Sequence, residues 1–416
     1  MTLQTTTLAS GHQFQQPISI QDGQLFWAGK PAIDWLQQAS GAPCYIYDMA
    51  IAHRQVAALR DALPQQFQLF YAAKANPNIQ VLSSLRACCD GVDVASIAEL
   101  KNAVKAGFQA NQTSFAGPAK SSDEIAETLS LGGYLSVESV TEVERIIGWA
   151  ENYQQPVSIS VRINPQFQLK ASGMHMGGGA QPFGIDEEQF ADIALLVAEH
   201  PLVSISGLHI YAGSQCLHVD ALIEQFHQSL LCFQRLCENY DLSVEKLNFG
   251  GGIGVPYFPK NQPVDLIRYG QAIGQLVDEQ RSFTAGKTLV LELGRYIMAE
   301  AGIYLSQITD LKLSRGQMFA MVNGGMHHHL ANSGNLGQLL KKNYPIVVAN
   351  KVDQPSVATA TVCGPLCTPL DVVARQLEVP HLELGDVIAV FQSGAYGLTA
   401  SPNGFLSHNP ALEWVV

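Results

Sequence analysis

Between residues 43 and 295, short apolar runs alternate with longer segments whose apolar positions recur every three or four residues. The short runs have the composition of strands, and the longer ones the period of amphipathic helices. After an opening strand PCYIYD (43–48) and a helix over 50–62, the strand candidates are QLFYAA (68–73), GVDVA (91–95), QTSFAG (112–117), YLSVES (134–139), VSISVRI (157–163), VSISGLHIYAG (203–213), KLNFGG (246–251) and TLVLELG (288–294). Helical period fills the intervals, as in IAELKNAVKAGF (97–108), SDEIAETLSLG (122–132), TEVERIIGWAENY (141–153) and VDALIEQFHQSLLCFQRLCENY (219–240). Eight strands alternating with helices predict a (β/α)8 barrel, and a span of about 250 residues suits closure. An open, doubly wound sheet has the same periodicity and stays an alternative.

After Arg295 the pattern changes. GIYLSQITDL, GQMFAMVNGG, YPIVVAN, SVATATVCG and DVIAVFQSGAYG are apolar runs separated by turn residues, with little helical period. They predict a second, all-β domain of Greek-key or sandwich type. PISIQDGQLFW (17–27) reads as a hairpin with Asp22-Gly23 in its two-residue turn, so the N-terminal segment completes that domain. The expected division is residues 43–295 for the barrel, and residues 1–42 with 296–416 for the β domain.

A chain of 416 residues, 47% hydrophobic and 14% charged, buries a large core, which excludes a disordered protein. Its net charge of -12 repels phosphate backbones and anionic membranes, so neither nucleic acid nor a membrane is an expected partner. The opening MTLQTTTLASGHQFQQ lacks a basic segment followed by an apolar core, and a cytoplasmic protein is expected. Eight cysteines without a CxxC do not make a disulfide framework, and Cys88 and Cys89 read as small buried hydrophobes.

In such barrels chemistry gathers at the C-terminal strand ends, and nearly every strand here ends on a polar residue. Lys74 follows QLFYAA, where partial desolvation would suit it to Schiff-base chemistry; a solvated surface lysine fits equally well. Asp93 and Ser96 close the second strand, Glu138 the fourth and Asn164 the fifth. His209 and Tyr211, two apart, share a face towards the barrel mouth, although core packing accounts for either alone. Gly250, Gly251 and Gly252 leave backbone N–H groups open to a phosphate, and a tight turn explains the glycines equally well. Arg295, a cation at the neighbouring strand end, tilts the balance to phosphate. Glu292, inside an apolar strand, needs a partner: a protonated cofactor nitrogen, or a cation such as Arg162. Consecutive His327, His328 and His329 cannot all face one metal, and no metal site is expected.

Lys74, the triple glycine, ELGR, GPLC and GAYG, in this order, resemble the motifs of the fold-type III pyridoxal-phosphate decarboxylases, the diaminopimelate, ornithine and arginine decarboxylase relatives. The resemblance runs from about Tyr45 to Phe405. It implies a (β/α)8 barrel joined to a β domain, pyridoxal 5'-phosphate as cofactor, and a homodimer that shares its active sites. It makes Lys74 the lysine that carries the cofactor and Glu292 the carboxylate that keeps the ring nitrogen protonated. Asp93 and Ser96 become the strand end beside the lysine. Gly250, Gly251, Gly252 and Ser214 would take the phosphate, with Tyr396 nearby, and Arg295 the phosphate or the substrate carboxylate. Cys367 becomes the proton donor contributed by the second subunit; Cys363 matches no family role.

Three positions depart from the family pattern. Tyr211 stands where the family stacks a histidine on the cofactor, with His209 two residues earlier. ELGR replaces the usual EPGR. Thr368 replaces the acid that, straight after the cysteine, pairs with the substrate's far amino group. With the glycine-rich GMHMGGGAQPFGID (173–186), this predicts an uncharged or extended substrate tail, and GPLCTPLD resembles the subgroup acting on aminoacyl groups tethered to a carrier protein. Such carriers are acidic, and the sequence shows no basic run to dock one. The alternatives are a diaminopimelate-, ornithine- or lysine-type enzyme acting on a free amino acid, an amino-acid racemase, and an inactive cofactor-binding regulator.

Overall fold

The computed structural model describes residues 6–7, 13–14, 18–168, 174–336, 338 and 341–416; Pro17 of the hairpin and Gly173 of the glycine-rich loop lie outside them. The chain forms two compact units, one of residues 53–255 and 264–296, the other of residues 1–52, 256–263 and 297–416.

The first unit is built on β1 (Phe67–Ala72), β2 (Gly91–Val94), β3 (Thr113–Phe115), β4 (Tyr134–Val137), β5 (Val157–Asn164), β6 (Val203–Ile210), β7 (Lys246–Asn248) and β8 (Thr288–Leu293). Each pairs in parallel with the next, and β8 returns to β1 with Leu291 opposite Leu69, so the sheet is closed and the open-sheet alternative falls. All eight are the runs read from the sequence. Helices fill the crossovers and begin where a hydroxyl or carboxylate accepts a backbone N–H: Ser121 from Glu124, Ser139 from Glu142 and Asp265 from Arg268. Ser96 does the same for Glu99, so its hydroxyl is spent on a helix cap beside the strand end.

The second unit centres on the long strand Gly302–Ser314. Its first half pairs with Cys44–Tyr47 and Val387–Val390, and its second half with Gln317–Val322. Hydrogen bonds thereby connect eight strands into one sheet. Cys44–Tyr47, read from sequence as the barrel's opening strand, belongs here instead. It lies between Gly302–Ser314 and the parallel strand Leu412–Val415, and all four of its residues are buried. The barrel unit accordingly begins near residue 53, not 43. The hairpin forms as expected, with Asp22 and Gly23 both at positive φ, and the Leu25 amide donates to the Ala349 carbonyl. No helix among the described residues is long and apolar enough to cross a membrane.

Candidate active site

At the end of β1 a single turn, Ala73–Ala75, presents Lys74. Its Nζ donates to Asp93 Oδ2 at 3.0 Å and lies 5.2 Å from the centroid of the Tyr211 ring. The lysine side chain is 39% exposed and the aspartate 2%, so the amine stays reachable while its counter-ion is buried. Burial, and then the charge of Glu292, push the Asp93 carboxyl up; Lys74 pulls it back. Asp93 Oδ1 is buried without a hydrogen-bond partner.

Glu292, on β8, is fully enclosed between two neighbours. Asn248 Nδ2, from β7, donates to Oε1 at 2.5 Å, and His209 Nε2 lies 3.5 Å from Oε2. Burial alone would push this carboxyl up, but His209, Lys74 and Asn248 outweigh it and hold it well below the usual range. His209 is fixed at its other nitrogen, Nδ1, 3.0 Å from Ser136 Oγ. Arg162, the alternative partner of Glu292, is committed elsewhere: its Nη1 donates to Glu138 Oε1 at 2.8 Å. Glu138 also accepts the amides of Gly117 at 2.6 Å and Gly184 at 3.0 Å, tying the β3 end and the PFGID turn to β4.

The glycine run lies flush against this cluster. A Cβ on Gly251 would sit 1.9 Å from the Glu292 carbonyl oxygen, and one on Gly250 2.7 Å from the Ile210 carbonyl and from the Tyr211 ring. Gly250 and Gly252 have positive φ. Gly250 N donates to Asn248 Oδ1 at 2.9 Å, and its carbonyl accepts from Glu292 N at 2.7 Å. The steric demand is therefore real, and it sets the run beside Tyr211 and Glu292. Ser214 is buried on the short strand Gly213–Ser214, and Arg295 is half-buried at the start of the helix Arg295–Met298.

Sequence reasoning missed Asn248 and Ser136, which lock Glu292 and His209. Each is a small polar residue inside an otherwise apolar strand, a signal that a buried partner exists.

Cys367, Thr368 and Tyr396 belong to the other unit. Cys367 is exposed on a loop held from behind by Asp371, whose carboxylate accepts Met326 N at 2.6 Å and Leu366 N at 2.8 Å. Burial pushes the Asp371 carboxyl up, and these two amides partly oppose it. A Cβ on Gly325 or Gly364 would meet that carboxylate at 2.3 Å. Thr368 turns its hydroxyl to the Leu370 amide, 3.3 Å away. Tyr396 is half-buried at φ 54°. Burial pushes the Cys363 thiol up. The three histidines diverge: His328 approaches Tyr304 Oη and the Asn409 carbonyl, His329 meets Ser393 Oγ, and His327 packs between the rings of His328 and His408.

A strand-end amine, an ionised carboxylate in a dry site, an aromatic face and a glycine run beside them form a recognisable set. Residues 50–299 match the pyridoxal binding domain of the pyridoxal-dependent decarboxylases. The chain belongs to that family. This decarboxylase is 34% identical, over 89% of its length and 88% of the relative's, to an L-glutamyl-(BtrI acyl-carrier protein) decarboxylase of Niallia circulans. It is 29% identical to a 2-((L-alanin-3-ylcarbamoyl)methyl)-2-hydroxybutanedioate decarboxylase of Staphylococcus aureus, over 91% of this chain and 95% of that one. Among solved structures, the diaminopimelate decarboxylase of Helicobacter pylori complexed with L-lysine superposes with a TM-score of 0.82 at 28% identity, covering 92% of this chain and 93% of that one. The decarboxylase is an amino-acid carboxy-lyase with pyridoxal phosphate as cofactor. The residues present fit that group: among the described residues Glu292 is held low without a salt-bridged lysine or arginine and Asp93 Oδ1 is unsatisfied, while Gly250 and Gly251 have no room for a side chain.

Proposed function

We propose that this decarboxylase removes the α-carboxylate of an amino acid whose tail is uncharged or extended, the amino acid being carried on an acyl carrier protein. The observation that carries the reading is the chemistry of the 364–370 loop. GPLCTPL contains no carboxylate, and the next residue, Asp371, is buried with both oxygens turned to backbone amides. A cationic tail would find no partner on this loop, at a cost of about 2–5 kcal/mol for a desolvated charge. The similarity to a decarboxylase named for a carrier-bound glutamyl substrate points the same way.

In this reading Lys74 carries the cofactor, with Asp93 orienting its amine, and Tyr211 offers the neutral face against which a flat ring stacks. Glu292, locked by Asn248 and His209, holds a proton on the ring nitrogen. Gly250, Gly251, Gly252, Ser214 and Arg295 take the phosphate, with Tyr396 nearby, and Arg295 or Tyr396 the substrate carboxylate. Bound pyridoxal phosphate supplies an electron sink for the bond that breaks as carbon dioxide leaves. Cys367, in a homodimer with shared sites, returns a proton to the α-carbon; its exposure in the single chain suits a residue that acts on a neighbouring subunit's substrate.

Carbon dioxide release, screened over free amino acids and carrier-tethered aminoacyl groups, tests the reading. Turnover of the tethered substrates is expected. Ready release from free ornithine, lysine or diaminopimelate, with none from the tethered set, would overturn it.

A further inference from the structure

A net charge of -12 opposes an acidic partner except where cations gather locally, and in the β unit they gather beside the Cys367 loop. Asn335 makes the link: its Nδ2 donates to the Leu370 carbonyl at 3.0 Å, and its Oδ1 accepts from Lys341 Nζ at 2.5 Å. Lys342 is exposed, and its ammonium lies 5.5 Å from the centroid of the Phe258 ring. Lys260 is exposed on the same turn as Phe258, a turn closed by Phe258 N donating to Asn261 Oδ1. Arg375 exchanges two backbone bonds with the Asn343 amide, and its Nη1 donates to the Ser333 carbonyl at 3.4 Å.

Among the described residues none of these four cations forms an ion pair. Arg60, Lys101, Arg235 and Arg268, elsewhere on the surface, face Asp90, Glu127, Glu187 and Asp220. Leu336, next in sequence to Asn335, and Leu370, whose carbonyl Asn335 holds, are both exposed, and apolar residues beside charged ones are what a protein-docking patch requires.

We propose that Lys260, Lys341, Lys342 and Arg375, around Leu336 and Leu370, dock the acidic carrier domain that presents the tethered aminoacyl group. This rests on the tethered-substrate reading above and adds where the carrier binds. Charge complementarity sets the choice of partner. A nucleic acid would be attracted by the same cations but finds no use for the exposed Leu336 and Leu370, and it is the alternative occupant that the test separates.

The test uses the full-length holoenzyme with two substrates: an aminoacyl carrier protein, and the same aminoacyl group on a short pantetheine thioester. In the K341E/K342E double variant the KM for the carrier substrate should rise roughly tenfold at unchanged kcat, with a flatter salt dependence. The KM for the short thioester should not move, which also shows the variant to be folded. An unchanged carrier KM, or an equal rise for both substrates, would overturn the docking surface and leave the tethered-substrate reading standing. A wild-type enzyme that turns over free amino acids and neither thioester defeats both. Tighter binding of duplex RNA than of the carrier also defeats the docking proposal.

Discussion

At the barrel mouth Lys74, Asp93, His209, Asn248 and Glu292 hold one another from five different strand ends, while Asp371, straight after the 364–370 loop, turns inward and the loop's thiol is left exposed. The first arrangement is held by charge: the Asp93 and Glu292 carboxyls are shifted, and every side chain of the cluster is directed, by neighbours in the same unit. The second is set only in backbone shape. The buried Asp371 fixes the turn, through the amides of Met326 and Leu366. Electrostatic preparation thus sits where the cofactor is proposed to bind. Steric preparation sits in the loop proposed to meet the substrate.

The largest effect that would break this contrast is at Lys74. In Lys74→Ala the visible absorbance of the holoenzyme should vanish and kcat fall by roughly three orders of magnitude. A coloured, active Lys74→Ala enzyme would remove the barrel site from the chemistry. Glu292→Gln comes next. It retains the shape and an acceptor for Asn248 but not the charge, so kcat should fall roughly a hundredfold, with only the smaller loss of melting temperature that giving up the held charge entails. A matching loss of stability would make Glu292 structural instead.

Asp371→Ala addresses the other side. Two buried amides, of Met326 and Leu366, lose their acceptor, which should cost about 2–4 kcal/mol in chemical denaturation. Cofactor absorbance should be unaffected, since the barrel cluster does not depend on that loop.

Acid should separate the two units by a smaller margin. Burial holds His329 down to about 3, and burial with the neighbouring His328 and His408 holds His327 to about 4. An unfolded histidine protonates near pH 6.5, so below that pH the unfolded chain binds more protons than the folded one. The stability these residues contribute is complete above about pH 6.5 and is lost as the pH falls towards 4. Glu292, held low, contributes stability that persists until the pH drops below about 4.5, the ordinary carboxylate range. Asp93, pushed up, has the opposite sign and favours the folded state as acid is added. Hydrogen exchange at pH 7.5 and pH 5 should therefore show protection falling first in strands such as Gly302–Ser314, with β1 and β8 little changed. Parallel losses in both units would contradict the contrast.

Much of the barrel was legible because its strands are nearly continuous apolar runs bounded by a polar residue, a pattern that burial on both faces imposes. Closure was expected from the count of eight strands and from the resemblance, not from periodicity, which is blind to whether β8 meets β1. Cys44–Tyr47 was placed in the wrong unit for a related reason: a four-residue apolar run states that it is buried and not which sheet buries it. In the site, residues with expensive chemistry announced themselves, Glu292 above all. Their keepers did not. Asn248 and Asp371 are ordinary polar residues whose roles depend on contacts made across the fold. The proposed basic patch was not read because Lys260, Lys341 and Arg375 come from separate segments, linked among the described residues through Phe258, Asn335, Asn343 and Ser333.

The pairing of Cys44–Tyr47 with Leu412–Val415 has a consequence for the order in which the chain matures. One strand is made before the barrel and the other after it, so during synthesis the early strand waits, apolar and with an open edge, while all eight barrel strands emerge. Loop closure across that distance is slow, and exposed edges invite association. The barrel can complete itself meanwhile, since its partners are consecutive. The β unit, whose outer strand arrives last, is thus expected to complete its sheet after the barrel has closed.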